Sequence, residues 1–167
     1  MTRFALIFIV SLVLSYQLRA QSAFADACVG TWTGTMHIYS KGTLKDSVPV
    51  RLTVTVAEPR KAWAWKTEYL SSKMPVVKDY TLRLKDAAKH EYVTDEGDGV
   101  VLADYLFGNK LYSVFETQGI VLTSTYELLG DRLIFEVTSG KKQPEPSQGV
   151  TNYSVDNLQR VVFKKNS

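Results

Sequence analysis

The sequence predicts an all-β fold, a single closed antiparallel up-and-down barrel of about 8–10 strands with no substantial helix after the N-terminal leader. Three observations carry this expectation. Apolar and polar residues alternate with a period of two over most of the chain, short turn sequences recur between the alternating runs, and no segment of helix length shows a 3.6-residue period.

The first run sets Trp32, Gly34, Met36 and Ile38 against Thr33, Thr35, His37 and Tyr39. The next, Ser47 to Val56, places Val48, Val50, Leu52, Val54 and Val56 on one face and Pro49, Arg51, Thr53 and Thr55 on the other. In Ala62 to Leu70, Trp63, Trp65, Thr67 and Tyr69 alternate with Ala62, Ala64, Lys66 and Glu68, so the aromatic set is expected to point inward. The pattern continues through Tyr80–Leu84, a short segment around Tyr92, Val100–Leu106, Leu111–Glu116, Ile120–Leu129, Leu133–Val137 and Tyr153–Phe163. Ser40-Lys41-Gly42, Glu58-Pro59-Arg60, Glu96 to Gly99, Gly108-Asn109, Gln118-Gly119 and Gly130-Asp131 separate these runs, and each is short enough for a hairpin. Gly140 to Gly149, with Pro144 and Pro146, reads as a longer surface loop. Such a meander either exposes two strand edges or closes, and closure removes the unpaired backbone groups. A two-sheet sandwich is the alternative, although its crossings ordinarily use longer connections.

The N-terminus bears on compartment. Arg3 precedes an apolar run from Phe4 to Leu14, and small residues follow, which is the build of a secretory signal peptide. Two processing sites fit, after Ala20 and after Ala25. The second has small residues at both recognition positions, so the expected division is a leader over 1–25 and one barrel domain over 26–167. The apolar run is too short to span a hydrocarbon core of roughly 20 residues' worth of helix. The expected location is therefore secreted or periplasmic, with no membrane insertion after cleavage. Arg3 and Arg19 leave with the leader, taking the formal net charge from +3 to +1. That balance provides no basic stripe for nucleic acid.

Gly30-Thr31-Trp32 at the start of the first strand resembles the Gly-x-Trp signature of the calycin superfamily, the lipocalin-like barrels. The resemblance implies that a basic residue from the last strand lies across Trp32, and it puts Arg160 in that role. It also implies an interior that holds a small apolar or aromatic molecule, lined by Met36, Trp63, Trp65, Tyr69, Tyr80, Tyr92, Phe115, Tyr126 and Phe135. This chain lacks the helix that follows the last barrel strand in classical lipocalins, and it has no room for the helical pair of fatty-acid-binding proteins. Nitrobindin-type barrels hold haem through a late histidine, and here none follows His90.

No metal or cofactor is expected. His37 and His90 are the only histidines, too few for a histidine-built metal site. Asp95 to Gly99 fits a hairpin better than a calcium loop, because Thr94 and Tyr105 stand where acidic ligands belong. Cys28, the single cysteine, reads as a small thiol near a strand start, and Asn152-Tyr153-Ser154 is a glycosylation sequon. No catalytic motif is present, so the leading expectation is non-covalent ligand binding. A protein-binding module acting through its loops, such as an enzyme inhibitor presenting Gly140 to Gly149, is the second. A barrel enzyme with dispersed carboxylates is the third.

Overall fold

The computed structural model describes residues 24–142 and 149–166. Most of the expected leader and the centre of the proline-containing loop therefore lie outside the described residues. Ten strands run in chain order: β1 (Gly30–Ser40), β2 (Thr43–Glu58), β3 (Ala62–Tyr69), β4 (Val76–Asp86), β5 (Glu91–Asp95), β6 (Val101–Phe107), β7 (Lys110–Thr117), β8 (Ile120–Leu129), β9 (Arg132–Lys142) and β10 (Tyr153–Lys165). Each pairs antiparallel with its neighbours in sequence, and β1 pairs with β10, so the meander closes into a barrel. The expected fold class is what the chain adopts.

Turn chemistry matches the hairpins. Lys41-Gly42 and Gln118-Gly119 both have positive φ at two consecutive residues, the pair of left-handed conformations that a tight hairpin of matching twist requires. Glycine meets the second of these without a Cβ clash. Asp95 to Gly99 is a turn as well, in which the Gly97 N–H donates to Asp95 Oδ1 at 3.0 Å.

Because consecutive hairpins alternate between the two ends, the barrel has two unlike mouths. One carries the β2–β3, β4–β5, β6–β7 and β8–β9 turns together with both described chain ends, and it is packed shut. Residues 24–27 form one helical turn beneath it, with Phe24 and Ala25 buried among the core residues. The Trp32 indole N–H donates to the Cys28 carbonyl at 2.7 Å, and the Trp63 indole donates to Asp26 Oδ1 at 2.8 Å. Two buried indoles thus have their single donors satisfied by the helical turn, which is what burying a tryptophan requires. Trp32, Trp63, Tyr92, Phe163, Leu52 and Leu133 fill the space above it.

The cation across Trp32 is Lys165 and not Arg160. Lys165 Nζ lies 5.1 Å from the indole centroid and also donates to the Ala27 carbonyl at 3.3 Å. Register explains the correction. Trp32 stands opposite Lys165, whereas Arg160 stands opposite His37. Parity agrees, since Val161 and Phe163 point inward and Lys165 continues their face, while Arg160 points outward and pairs with Glu136 at 3.3 Å.

β9 and β10 approach very closely at a register shift between Val155 and Asn157. A Cβ on Gly140 would collide with the backbone carbonyl of Ser154. We expect Gly140→Ala to lower stability by about 2 kcal/mol or more, because backbone on one side and the sheet on the other leave no room to relax. Comparison of urea unfolding midpoints checks this, and an unchanged midpoint would contradict it.

Candidate ligand cavity

The opposite mouth carries the β1–β2, β3–β4, β5–β6 and β7–β8 hairpins and the β9–β10 loop. Beneath it lies a cavity of about 390 Å³. Volume of this order suits one small molecule. Its walls come from β3 to β10, because on the β1–β2 side Met36, Val50, Leu52 and Val161 fill the interior.

One wall is aromatic. The Tyr126 and Phe135 rings stack with centroids 4.4 Å apart and planes 26° from parallel, and Trp65 meets Tyr126 edge-on at 5.2 Å. These residues converge by sheet register: Tyr126 pairs directly with Phe135, and Trp65 with Tyr80. Among the described residues the buried Trp65 indole N–H makes no hydrogen bond of good geometry. Its neighbour is the Tyr126 hydroxyl, whose pKa burial pushes up, so that it stays protonated.

A second wall is polar. Asp104 points inward from β6 between Leu102 and Leu106, and it is only 4% exposed. The Thr94 hydroxyl donates to Asp104 Oδ2 at 2.7 Å, and Ser113, the cross-strand partner of Asp104, adds a second hydroxyl beside it. Desolvation raises the Asp104 pKa to about 6, against the opposing pull of those hydroxyls and the Thr94 backbone N–H. Lys78 and Glu96, the other charged residues of the lining, belong to the outer half. There Lys78 Nζ lies 5.7 Å from the Tyr80 ring centroid, and its pKa is raised by its hydrogen bond to Tyr80 and by the charge of Glu96.

Of the residues expected to line the interior, Trp65, Tyr69, Tyr80, Phe115, Tyr126 and Phe135 surround this cavity, with Thr67 beside them. Met36, Trp63 and Tyr92 do not. They point inward but lie in the packed part of the barrel, where Trp63 and Tyr92 sit 6.4 Å apart against the helical turn. The sequence reading missed Asp104, Thr94, Ser113, Ser124 and Gln159, which also line the cavity. The signal was available, since each polar side chain is in phase with inward apolar ones, as in Leu102-x-Asp104-x-Leu106 and Leu111-x-Ser113-x-Phe115.

His37 points outward, its Nδ1 2.9 Å from Ser47 Oγ. Cys28 is fully buried at the packed end, and burial pushes its thiol up to about 12, so it is no nucleophile at neutral pH. Among the described residues no three His, Cys, Asp or Glu side chains gather as a metal site would require.

No protein-family model matches the chain, and no curated protein does. Solved structures do match. The S-type phycobiliprotein lyase CPES from Guillardia theta superposes with a TM-score of 0.65 at 11% identity, covering 92% of this chain and 97% of that one. A DUF3598-family protein of unknown function from Nostoc punctiforme gives 0.58 at 10% identity, over 85% of this chain and 49% of that one. The wild-type fluorescent protein UnaG gives 0.51 at 15% identity, over 85% and 99%. At these identities the likeness is one of fold, a closed antiparallel β-barrel.

The buried carboxyl generates a prediction. Asp104 holds its proton more tightly in the folded chain, near 6, than at its ordinary value of 3.8. Between those values the folded state binds more protons than the unfolded one, so this group's contribution to stability falls as pH rises through that window and stays low above it. Asp104→Asn is expected to be more stable than the parent at pH 8 by about 1–3 kcal/mol, with the gain gone near pH 4. Urea unfolding at the two pH values measures this, and a variant less stable at both would contradict it.

Proposed function

We propose that this calycin-like barrel is an exported carrier that binds one small, largely aromatic molecule non-covalently beneath its open mouth. The observation that carries the reading is the cavity itself, with an aromatic stack on one side and a single desolvated carboxyl on the other. Small-molecule sites are typically apolar concavities with a few placed polar groups, and this one follows that pattern. The remoteness and burial of Cys28 favour non-covalent holding.

A second reading, a protein-binding module, gains support from outward-facing apolar side chains. Tyr105, Phe107, Tyr112 and Val114 form an exposed group on the outer surface of β6 and β7. That surface is distinct from the Gly140 to Gly149 loop.

Native mass spectrometry of the protein purified from its own compartment separates the two. We expect the barrel to carry extra mass that is lost when it is denatured. An unliganded barrel that also takes up no aromatic probe would overturn the carrier reading.

Export rests on the apolar leader, and the fold bears on where that leader ends. Processing after Ala25 would remove Phe24 and Ala25, two buried members of the packed end. Processing after Ala20 would keep them, and we take that as the working site. N-terminal sequencing of the exported protein should begin at Gln21. A start at Asp26 would refute this choice and leave the packed end open.

A further inference from the structure

Among the described residues no cationic side chain pairs with the carboxyl of Asp104, whose side-chain partner is the Thr94 hydroxyl. Ionised carboxylates this buried are normally paired, because removing the charge from water is costly unless a cation or several donors replace the solvent. The Thr94 hydroxyl and backbone N–H give partial compensation, while the neighbouring Ser113 hydroxyl donates to the Ala103 carbonyl at 3.1 Å. Lys78, the one cationic side chain of the lining among the described residues, is engaged with Tyr80 and Glu96. The fold has no evident need of an acid here, since the inward positions on either side of Asp104 are Leu102 and Leu106.

Resting on the reading of this cavity as a ligand site, we propose that its occupant is a flat aromatic molecule that presents a cationic nitrogen to Asp104. The aromatic wall fits the same class. Trp65, Tyr126 and Phe135, packed on one another at 4.4 and 5.2 Å, form one aromatic wall of the cavity against which another π-system can pack, and ring faces attract a positive charge as well as a ring. A charge-assisted N–H to carboxylate bond in a desolvated setting is stronger than a neutral one. An occupant of this kind would supply a cationic partner for Asp104.

This assignment fixes the direction of the pH response. A cation binds the ionised form of Asp104, so affinity should be level above about 6 and fall as pH drops below it. The other titratable groups around the cavity are Tyr69 on β3, Lys78 and Tyr80 on β4, Glu96 in the β5–β6 turn and Tyr126 on β8. Tyr92 on β5 stands across from Asp104 in the register. Burial raises the pKa of all four tyrosines and hydrogen bonding raises that of Lys78, so these five keep one charge state through the window. Glu96 lies beside Lys78 and Tyr80 in the outer half.

The test uses three tricyclic fluorophores of one shape and different charge: cationic 9-aminoacridine, anionic anthracene-9-carboxylate and neutral 9-anthracenemethanol. Fluorescence titration at pH 8 should show 9-aminoacridine binding about tenfold or more tighter than the carboxylate, the scale of one charge-assisted contact. At pH 5 that preference should largely disappear. Asp104→Asn should lose the preference at both pH values while still binding the neutral probe. Should that variant fail to fold, the pH series on the unaltered protein decides alone. Equal or anion-favouring affinity at pH 8, or a preference that survives Asp104→Asn, would overturn the assignment and leave the carrier reading standing. Failure of all three probes to bind would overturn both.

Discussion

The pairing of β1 with β10 converts a ten-strand meander into a continuous surface with a defined inside, and the position of every functional side chain follows from that closure. In a closed antiparallel sheet each residue points either into the barrel or out of it, so parity along a strand assigns its environment. The seam also sets register. With Trp32 opposite Lys165, a cation lies across the indole, and the Asn166 N–H donates to the Thr31 carbonyl at 2.8 Å. An exposed cation over a ring contributes only about 0.5–1 kcal/mol. The same Lys165 also donates to the Ala27 carbonyl, which ties the end of β10 to the helical turn.

The two ends of the barrel divide stability from binding. At the packed end, large side chains are fully buried and their polar atoms are matched, as in the indole contacts to Cys28 and Asp26. At the open end the interior is left partly unfilled, and it contains a carboxyl whose burial disfavours ionisation. Free cavity volume and a desolvated acid both work against folding. The packed end, with its dense core, can offset them.

The strands and turns were legible because their signals are local. Alternation in Ser47–Val56 and Ala62–Leu70 gives the inward faces directly, and Lys41-Gly42 and Gln118-Gly119 give the hairpins. What depended on long-range register was not legible. Arg160 and Lys165 are both cations on the last strand, and only the pairing with β1 decides which reaches Trp32. The depth of an inward residue was hidden in the same way. Trp63 and Trp65 share a face, yet one closes the packed end and the other borders the cavity. Asp104 does not stand out in the sequence as the aromatic side chains do, although its parity with Leu102 and Leu106 marks it as inward.

Closure between the first and last strands also has a kinetic side. β1 and β10 are the most distant strands in the chain, and contacts between such remote segments form slowly because a long loop must be ordered first. A ribosome delivers β10 last, so the seam cannot form on any nascent chain that still lacks it. The barrel stays open for as long as its final strand is missing, and it locks only when β1 and β10 meet.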